Sequence, residues 1–168
     1  MSTHLVVMGV SGTGKSTVAK ALQERLGWTF AEGDDLHPAT NVAKMAAGIP
    51  LADADRWPWL DAIAAWTSEQ AAGSRSTIVT CSALRRVYRD RLREAAAGTV
   101  FVHLFGSREL LAQRLGGRKG HFMPASLLAS QLDTLEPLEA DEAGVVVDVD
   151  TTTDAIVDQV LAALGLPR

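Results

Sequence analysis

The sequence predicts an α/β fold, a five-stranded parallel sheet with helices on both faces. Three observations carry that expectation. Short apolar, β-branched runs alternate with segments of helical spacing along the 168 residues, the pattern of parallel strands joined by crossover helices. The first such run leads straight into Gly9-Val10-Ser11-Gly12-Thr13-Gly14-Lys15-Ser16, which fits G-x-x-x-x-G-K-[ST] at every fixed position. A hydrophobic content of 47% over this length suits one well-packed core, so residues 1–168 are expected to form a single domain.

Leu5 to Met8 is an apolar run suited to a buried first strand, and after the glycine-rich loop Val18, Leu22 and Leu26 recur at helical spacing. The loop therefore lies between a strand and a helix, where its N–H groups and the positive helix end converge on one anion. Gly9, Gly12 and Gly14 let the backbone of the loop, with Ser11 and Thr13, close around a phosphate. Lys15 reaches the β and γ oxygens, the Ser16 hydroxyl is suited to ligate Mg²⁺, and Thr17 adds a contact to the α-phosphate. A nucleotide polyphosphate with Mg²⁺ is the ligand set this predicts.

Gly27 reads as a helix C-cap, and Trp28 to Ala31 as a second short strand. That strand ends in Glu32-Gly33-Asp34-Asp35, three carboxylates at the edge where open α/β sheets place ligands. A helix is predicted from Pro38 to Gly48, broken by Ile49-Pro50, and a second near 59–71. Together they make a helical substrate insert, about 37–72. Thr77 to Cys81 is the third strand and delivers Ser82 to the ligand edge. Leu84 to about Ala96 has helical character with many arginines on one side, and Val100 to Phe105 is the fourth strand. Ser107 is a good N-cap for a helix whose core face is Leu110, Leu111 and Leu115. Arg114 to Phe122 is basic and glycine-rich, the composition of a lid, about 114–124, that closes over polyphosphate. A helix from about Pro124 to Leu132, a fifth strand from Val145 to Asp150 and a closing helix from Ala155 to Leu164 complete the chain.

Composition excludes several functions. A net charge of −4 offers no global field for a nucleic-acid backbone. One cysteine, Cys81, rules out an intrachain disulfide framework and fits a reducing compartment. No stretch approaches a membrane span, and the first residues carry no basic segment followed by an apolar one, so a cytoplasmic location is expected. An Asn-Lys-x-Asp guanine-reading segment is missing, and the third strand ends in Cys81-Ser82 rather than an aspartate, which argues against GTPases and most large motor ATPases. Length, insert and basic lid favour a kinase of a small metabolite.

The segments that make this specific are Met8 to Thr17, Gly33-Asp-Asp-Leu-His-Pro38, Asn41 with Lys44-Met45, Gly48-Ile-Pro-Leu51, Asp53 to Leu60, Cys81-Ser-Ala-Leu84, Tyr88 to Arg93 and Gly120-His-Phe-Met-Pro124. With Leu127-Leu128 and Ser130-Gln131 they run from residue 8 to about 142, and in them the chain resembles the small P-loop gluconokinases. The resemblance implies a P-loop kinase fold, ATP-dependent phosphorylation of D-gluconate to 6-phosphogluconate, and a homodimer. A shikimate kinase-like enzyme is the nearest alternative, although it would show Gly-Gly-Gly where this chain has Ser82-Ala83-Leu84. A nucleotide-binding module without turnover is the other.

Roles for the matched residues follow from chemistry. Asp34, one βα-loop from the phosphate loop, is the candidate to orient and deprotonate the acceptor hydroxyl, and Asp35 can exchange roles with it. Glu32 or Asp34 can reach the metal through water; relatives generally carry Asp at the Glu32 position. Gluconate needs a cation for its carboxylate and a row of hydrogen-bonding groups for its hydroxyls. Arg56 is the candidate carboxylate clamp, with a surface ion pair to Asp53 or Asp55 as the competing reading. His37, Asn41 and Lys44 fall on one helix face and are expected to line the sugar-acid site. Ser82, with Arg85 or Arg89 behind it, is placed to reach the acceptor. Arg114 and Arg118 are four apart and face the nucleotide, stabilising charge on the transferring phosphoryl group, or one of them stacks on adenine. Lys119 is the spare cation, and His121 and Gln131 are expected to meet substrate. Cys81 and Tyr88 are read as packing, and so are Trp57 and Trp59, with an apolar wall for the substrate as their competing reading.

Overall fold

The computed structural model describes residues 2–116 and 126–167. Its five strands are β1 (His4–Met8), β2 (Thr29–Glu32), β3 (Thr77–Thr80), β4 (Thr99–Phe105) and β5 (Gly144–Asp148). They form one sheet in the order β2-β3-β1-β4-β5, with every pairing parallel. Parallel strands all end at the same edge, so Gly9, Gly33, Ser82, Gly106 and Val149 meet there. The helices are α1 (Lys15–Leu26), α2 (Ala39–Ala46), α3 (Asp53–Ala72), α4 (Arg86–Ala95), α5 (Arg108–Gly116), α6 (Ser126–Thr134) and α7 (Thr153–Ala163), with a 3-10 turn at Gly33–Leu36.

The central strands read as unbroken apolar runs because both of their faces are covered. Leu5, Val7, Ile78, Val102 and Leu104 pack with Val18, Leu22, Ile156 and Val160 of α1 and α7. The alternate residues Val6, Met8, Val79 and Phe101 pack with Trp59, Leu60, Ile63, Tyr88 and Leu92 of α3 and α4. At the carboxyl edge Val10, Leu84, Leu111, Leu115 and Leu128 form a smaller cluster that seats the phosphate loop on α5 and α6.

The starts of α3 and α4 differ from the sequence expectation, the first by about six residues and the second by two. α3 begins at Asp53, not near 59, and carries Pro58 inside it. The Asp55 carboxylate accepts the Ala52 N–H at 2.9 Å and caps the helix early, while the two aspartates of the first turn complement its positive end. Pro58 forfeits one backbone hydrogen bond and crowds the carbonyl a turn earlier, and burial of Trp59, Leu60 and Ile63 offsets that cost. α4 begins at Arg86 rather than Leu84, because Arg85 is extended, with φ −112° and ψ 147°, and stands as the residue before the first turn. The expected lid lies outside the described residues from 117 onward, and so do Arg118, Lys119 and His121.

Candidate active site

The phosphate loop separates two recesses. On one side lies a cleft whose walls include Ser11, Lys15, Asp34, His37, Arg56, Ser82 and Gln131. On the other side Gly12, Thr13, Gly14 and Thr17 share a hollow with Arg114, Thr151 and Thr153. Gly9 makes the turn into the loop with φ 143°, and a Cβ there would stand 2.6 Å from the Leu104 carbonyl oxygen. The Lys15 ammonium donates to the Gly9 and Val10 carbonyls at 3.0 and 3.1 Å, which holds its charge against the loop on the cleft side. Arg114 lies on the hollow side, donating to the carbonyls of Gly12 at 3.3 Å and Val149 at 3.0 Å.

The Ser16 hydroxyl donates to Glu32 Oε1 at 2.6 Å. Thr80 donates to the same oxygen at 2.6 Å and accepts the Gly33 N–H at 3.0 Å, so β3 fixes both the carboxylate and the turn after it. Gly33 is required at this crossing, since a Cβ would fall 1.8 Å from the Thr80 carbonyl oxygen. One hydroxyl beside one carboxylate next to a phosphate cradle is the donor set by which Mg²⁺ is bound together with phosphate and water. No group of three His, Cys, Asp or Glu suited to hold a metal without such help occurs among the described residues.

His37 is stacked on Trp59 with ring centroids 3.9 Å apart, and Trp59 Nε1 donates to the Gly33 carbonyl at 2.8 Å. The Asn41 amide nitrogen lies 2.7 Å from the Asp55 carbonyl oxygen, which can only accept, and 3.2 Å from His37 Nδ1. Asn41 therefore donates to both, so Nδ1 is an acceptor and Nε2 bears the proton. That Nε2 faces Asp34 Oδ1 at 3.9 Å. Burial, reinforced by the Arg56 charge, pushes the His37 pKa down to about 4. The imidazole is thus a fixed neutral donor on the cleft wall. Asp34 rather than Asp35 contributes to that wall.

Three of the expected acceptor-site residues are engaged with protein groups and are not on the cleft wall. Asn41 is 2% exposed and does not line the cleft; it orients His37. Lys44 is likewise turned away, donating to Asp55 at 2.8 Å. Arg85 lies beside the cleft rather than in it, bonded to Asp53 at 2.8 Å and to Glu136 at 3.3 Å, in a shallow hollow shared with Arg56 and Tyr88. The reason is common to all three: nearby carboxylates and carbonyls, remote in sequence, satisfy these donors first. Arg89 has no exposure at all and braces the turn after β3 by donating to the Ala83 carbonyl at 2.9 Å.

Arg56 does line the cleft, and both neighbouring carboxylates are engaged elsewhere, Asp53 with Arg85 and Asp55 with Lys44. Its Nη1 donates to the Tyr88 hydroxyl at 3.1 Å. Gln131 closes the far wall, its Oε1 accepting the Ser11 N–H of the loop at 2.7 Å. Ser82 lines the cleft at the end of β3. Burial pushes the Cys81 thiol up to about 12, so it stays protonated. The site residues missed in the sequence are Trp59, which supports His37, Thr80, which holds Glu32, and Tyr88. Each acts through a partner more than twenty residues away, and no local spacing announces that.

The neutral histidines predict the acid response of the fold. His103 of β4 is buried and its pKa is pushed down to about 4, first by burial and then by Arg89. Between the ordinary value of 6.5 and about 4, the unfolded chain binds protons at His37 and His103 that the native fold refuses. Stability is therefore complete above that window and falls as pH drops through it, by on the order of 1–2 kcal/mol per histidine between about pH 7 and pH 5. Urea unfolding at the two pH values measures this; a fold more stable at the lower pH would contradict it.

A family model described as an AAA domain matches residues 5–138. The gluconokinase of Gluconobacter oxydans is 52% identical over 157 residues, 94% of this chain and 88% of that protein. A crystal structure of a gluconokinase from Sinorhizobium meliloti is 51% identical, with a TM-score of 0.87 over 97% of this chain and 91% of that one. An unliganded sugar kinase from a Janibacter species is 49% identical, with a TM-score of 0.95 over 99% and 96% of the two chains. With a phosphate loop, a cationic and carboxylate-lined cleft beside it, and likeness of this extent, the chain belongs to the gluconokinase family.

Proposed function

We propose that the chain transfers the γ-phosphoryl group of ATP to a hydroxyl of D-gluconate, forming 6-phospho-D-gluconate and ADP. The observation that carries this reading is the wall composition of the cleft beside Lys15. It pairs one cation suited to a carboxylate, Arg56, with short polar groups suited to hydroxyls, Asp34, His37, Ser82 and Gln131. In this reading Asp34 accepts the proton of the attacking hydroxyl, whose oxygen bonds to the γ-phosphorus as the bond to the bridging oxygen of ADP breaks. His37 Nε2–H orients either Asp34 or a substrate hydroxyl. Lys15 compensates charge on the β and γ oxygens, and Arg118 is proposed to do so from the lid. The loop residues Gly9, Ser11, Gly12, Thr13, Gly14, Lys15, Ser16 and Thr17 bind the nucleotide, with Arg114 beside them. Ser16, with Glu32 or Asp34 through water, would hold Mg²⁺, which would supply charge neutralisation at the phosphates. His121 is proposed to meet substrate from the lid. A cytoplasmic homodimer completes the proposal, resting on family resemblance and on a single buried thiol. No helix among the described residues is long and apolar enough to cross a membrane.

Formation of 6-phosphogluconate, coupled to its oxidation by 6-phosphogluconate dehydrogenase, tests the reading. Turnover of shikimate or AMP without turnover of gluconate would sink it. Arg56→Ala is expected to raise the gluconate KM by about 10–100-fold, the worth of a charge-assisted pair, with a smaller change in kcat. An unchanged KM would remove Arg56 from the clamp role.

A further inference from the structure

We propose that Tyr88 is a positioning residue for the acceptor, its hydroxyl interposed between Arg56 and Asp53 so that the guanidinium is held toward the cleft instead of collapsing onto the carboxylate. The inference rests on the proposed role of Arg56 as the carboxylate clamp. Its basis is the direction of the hydrogen bonds. Arginine only donates, so the 3.1 Å contact from Arg56 Nη1 makes the phenol oxygen an acceptor. The single phenol proton then goes to Asp53 Oδ1, with which the hydroxyl makes a short contact. Asp53 Oδ2 is taken by Arg85 Nη1 at 2.8 Å. The carboxylate is thereby occupied on both oxygens, and Arg56 is tied to it only at second hand.

Direct collapse is otherwise available. Asp53 and Arg56 are three residues apart on α3, where oppositely charged side chains meet readily. Tyr88 is fixed for its task from all sides: it is 1% exposed, Trp57 meets its ring edge-on at 5.7 Å, and the Arg56 and Arg85 guanidiniums lie 5.3 and 5.7 Å from its centroid. Burial raises the phenol pKa and the Asp53 contact raises it further, so the proton stays on the phenol through the working pH range. A residue kept only for packing has no need of the hydroxyl, and phenylalanine would fill the same space.

Two variants and one structure test this. Tyr88→Phe is expected to raise the gluconate KM about ten-fold, leaving the ATP KM and kcat within about two-fold, because the lost contact orients a binding group and not the reacting atoms. Adding Asp53→Asn to Tyr88→Phe is expected to recover most of that loss, since the amide no longer draws the guanidinium as a charge does. In a crystal structure of Tyr88→Phe, Arg56 is expected to lie on Asp53. Urea midpoints of both variants check that they fold. A gluconate KM unchanged in Tyr88→Phe, a double variant no better than the single, or an Arg56 unmoved in the crystal would each overturn the inference. Absence of gluconate turnover by the wild-type protein would instead overturn the functional reading, and the Tyr88→Phe crystal structure would still decide the role of Tyr88.

Discussion

Lys15→Ala is expected to lower kcat by about 10³-fold or more while leaving the fold intact, the magnitude associated with losing one preorganised charge at a reacting phosphate. The side chain adds nothing to the core: its ammonium rests on two loop carbonyls, Gly9 and Val10, beside the cleft. Those carbonyls can turn to water when the ammonium is removed. Arg114 of α5 does not replace it at the β and γ oxygens, because that guanidinium is directed to the hollow side and bonded to Gly12 and Val149. Single-turnover kinetics at saturating ATP, set beside a urea midpoint, separate the two effects. A variant that retains more than about a tenth of the wild-type rate would place the transition-state charge elsewhere.

Glu142→Ala is expected to destabilise the fold by about 3–5 kcal/mol, the cost of leaving buried charge without its partner. Glu142 and Arg89 have fully buried side chains and are joined in bidentate fashion, at 2.7 and 3.0 Å. Arg93 adds a third contact to Glu142 at 2.9 Å, and the Glu139 N–H a fourth at 2.8 Å. Burial pushes the Glu142 carboxyl up, but the hydrogen bonds from Arg89, the Glu139 N–H and Arg93 outweigh it and hold the pKa at about 2. Alanine would leave the fully buried Arg89 guanidinium without a counter-charge, with only the Ala83 and Pro137 carbonyls to accept from it, while Arg93 would retain Asp90. The cluster ties α4 to the chain before β5 and, through the Arg89 bond to the Ala83 carbonyl, holds the turn that carries Ser82 into the cleft. Equilibrium unfolding in urea measures the loss, and a change below about 1 kcal/mol would show the pair to be replaceable.

Much of this arrangement is legible in the chain. The order of strands and helices is readable because buried parallel strands are continuous apolar runs, and the loop from Gly9 to Ser16 because phosphate binding demands its glycines, lysine and hydroxyl in a fixed local order. Asp34, His37, Arg56 and Ser82 are readable as cleft residues because each sits close to a strand end or inside a distinctive segment. The start of α3 is not, since Pro58 suggests a break and only the Asp55 cap reveals that the helix is already under way.

What the sequence determined by itself is the donor side: the cradle, its lysine, and the edge of the sheet on which ligands must lie, all set by contacts between near neighbours in the chain. The tertiary structure decided which polar groups face the acceptor cleft. Asn41, Lys44, Arg85 and Arg89 have the right chemistry and helical phase, yet each is drawn to a partner brought near by folding, Asp55, Asp53 or Glu142. A donor bonds to the best acceptor within reach, and for these side chains that acceptor comes from a distant stretch of chain that only the fold brings close.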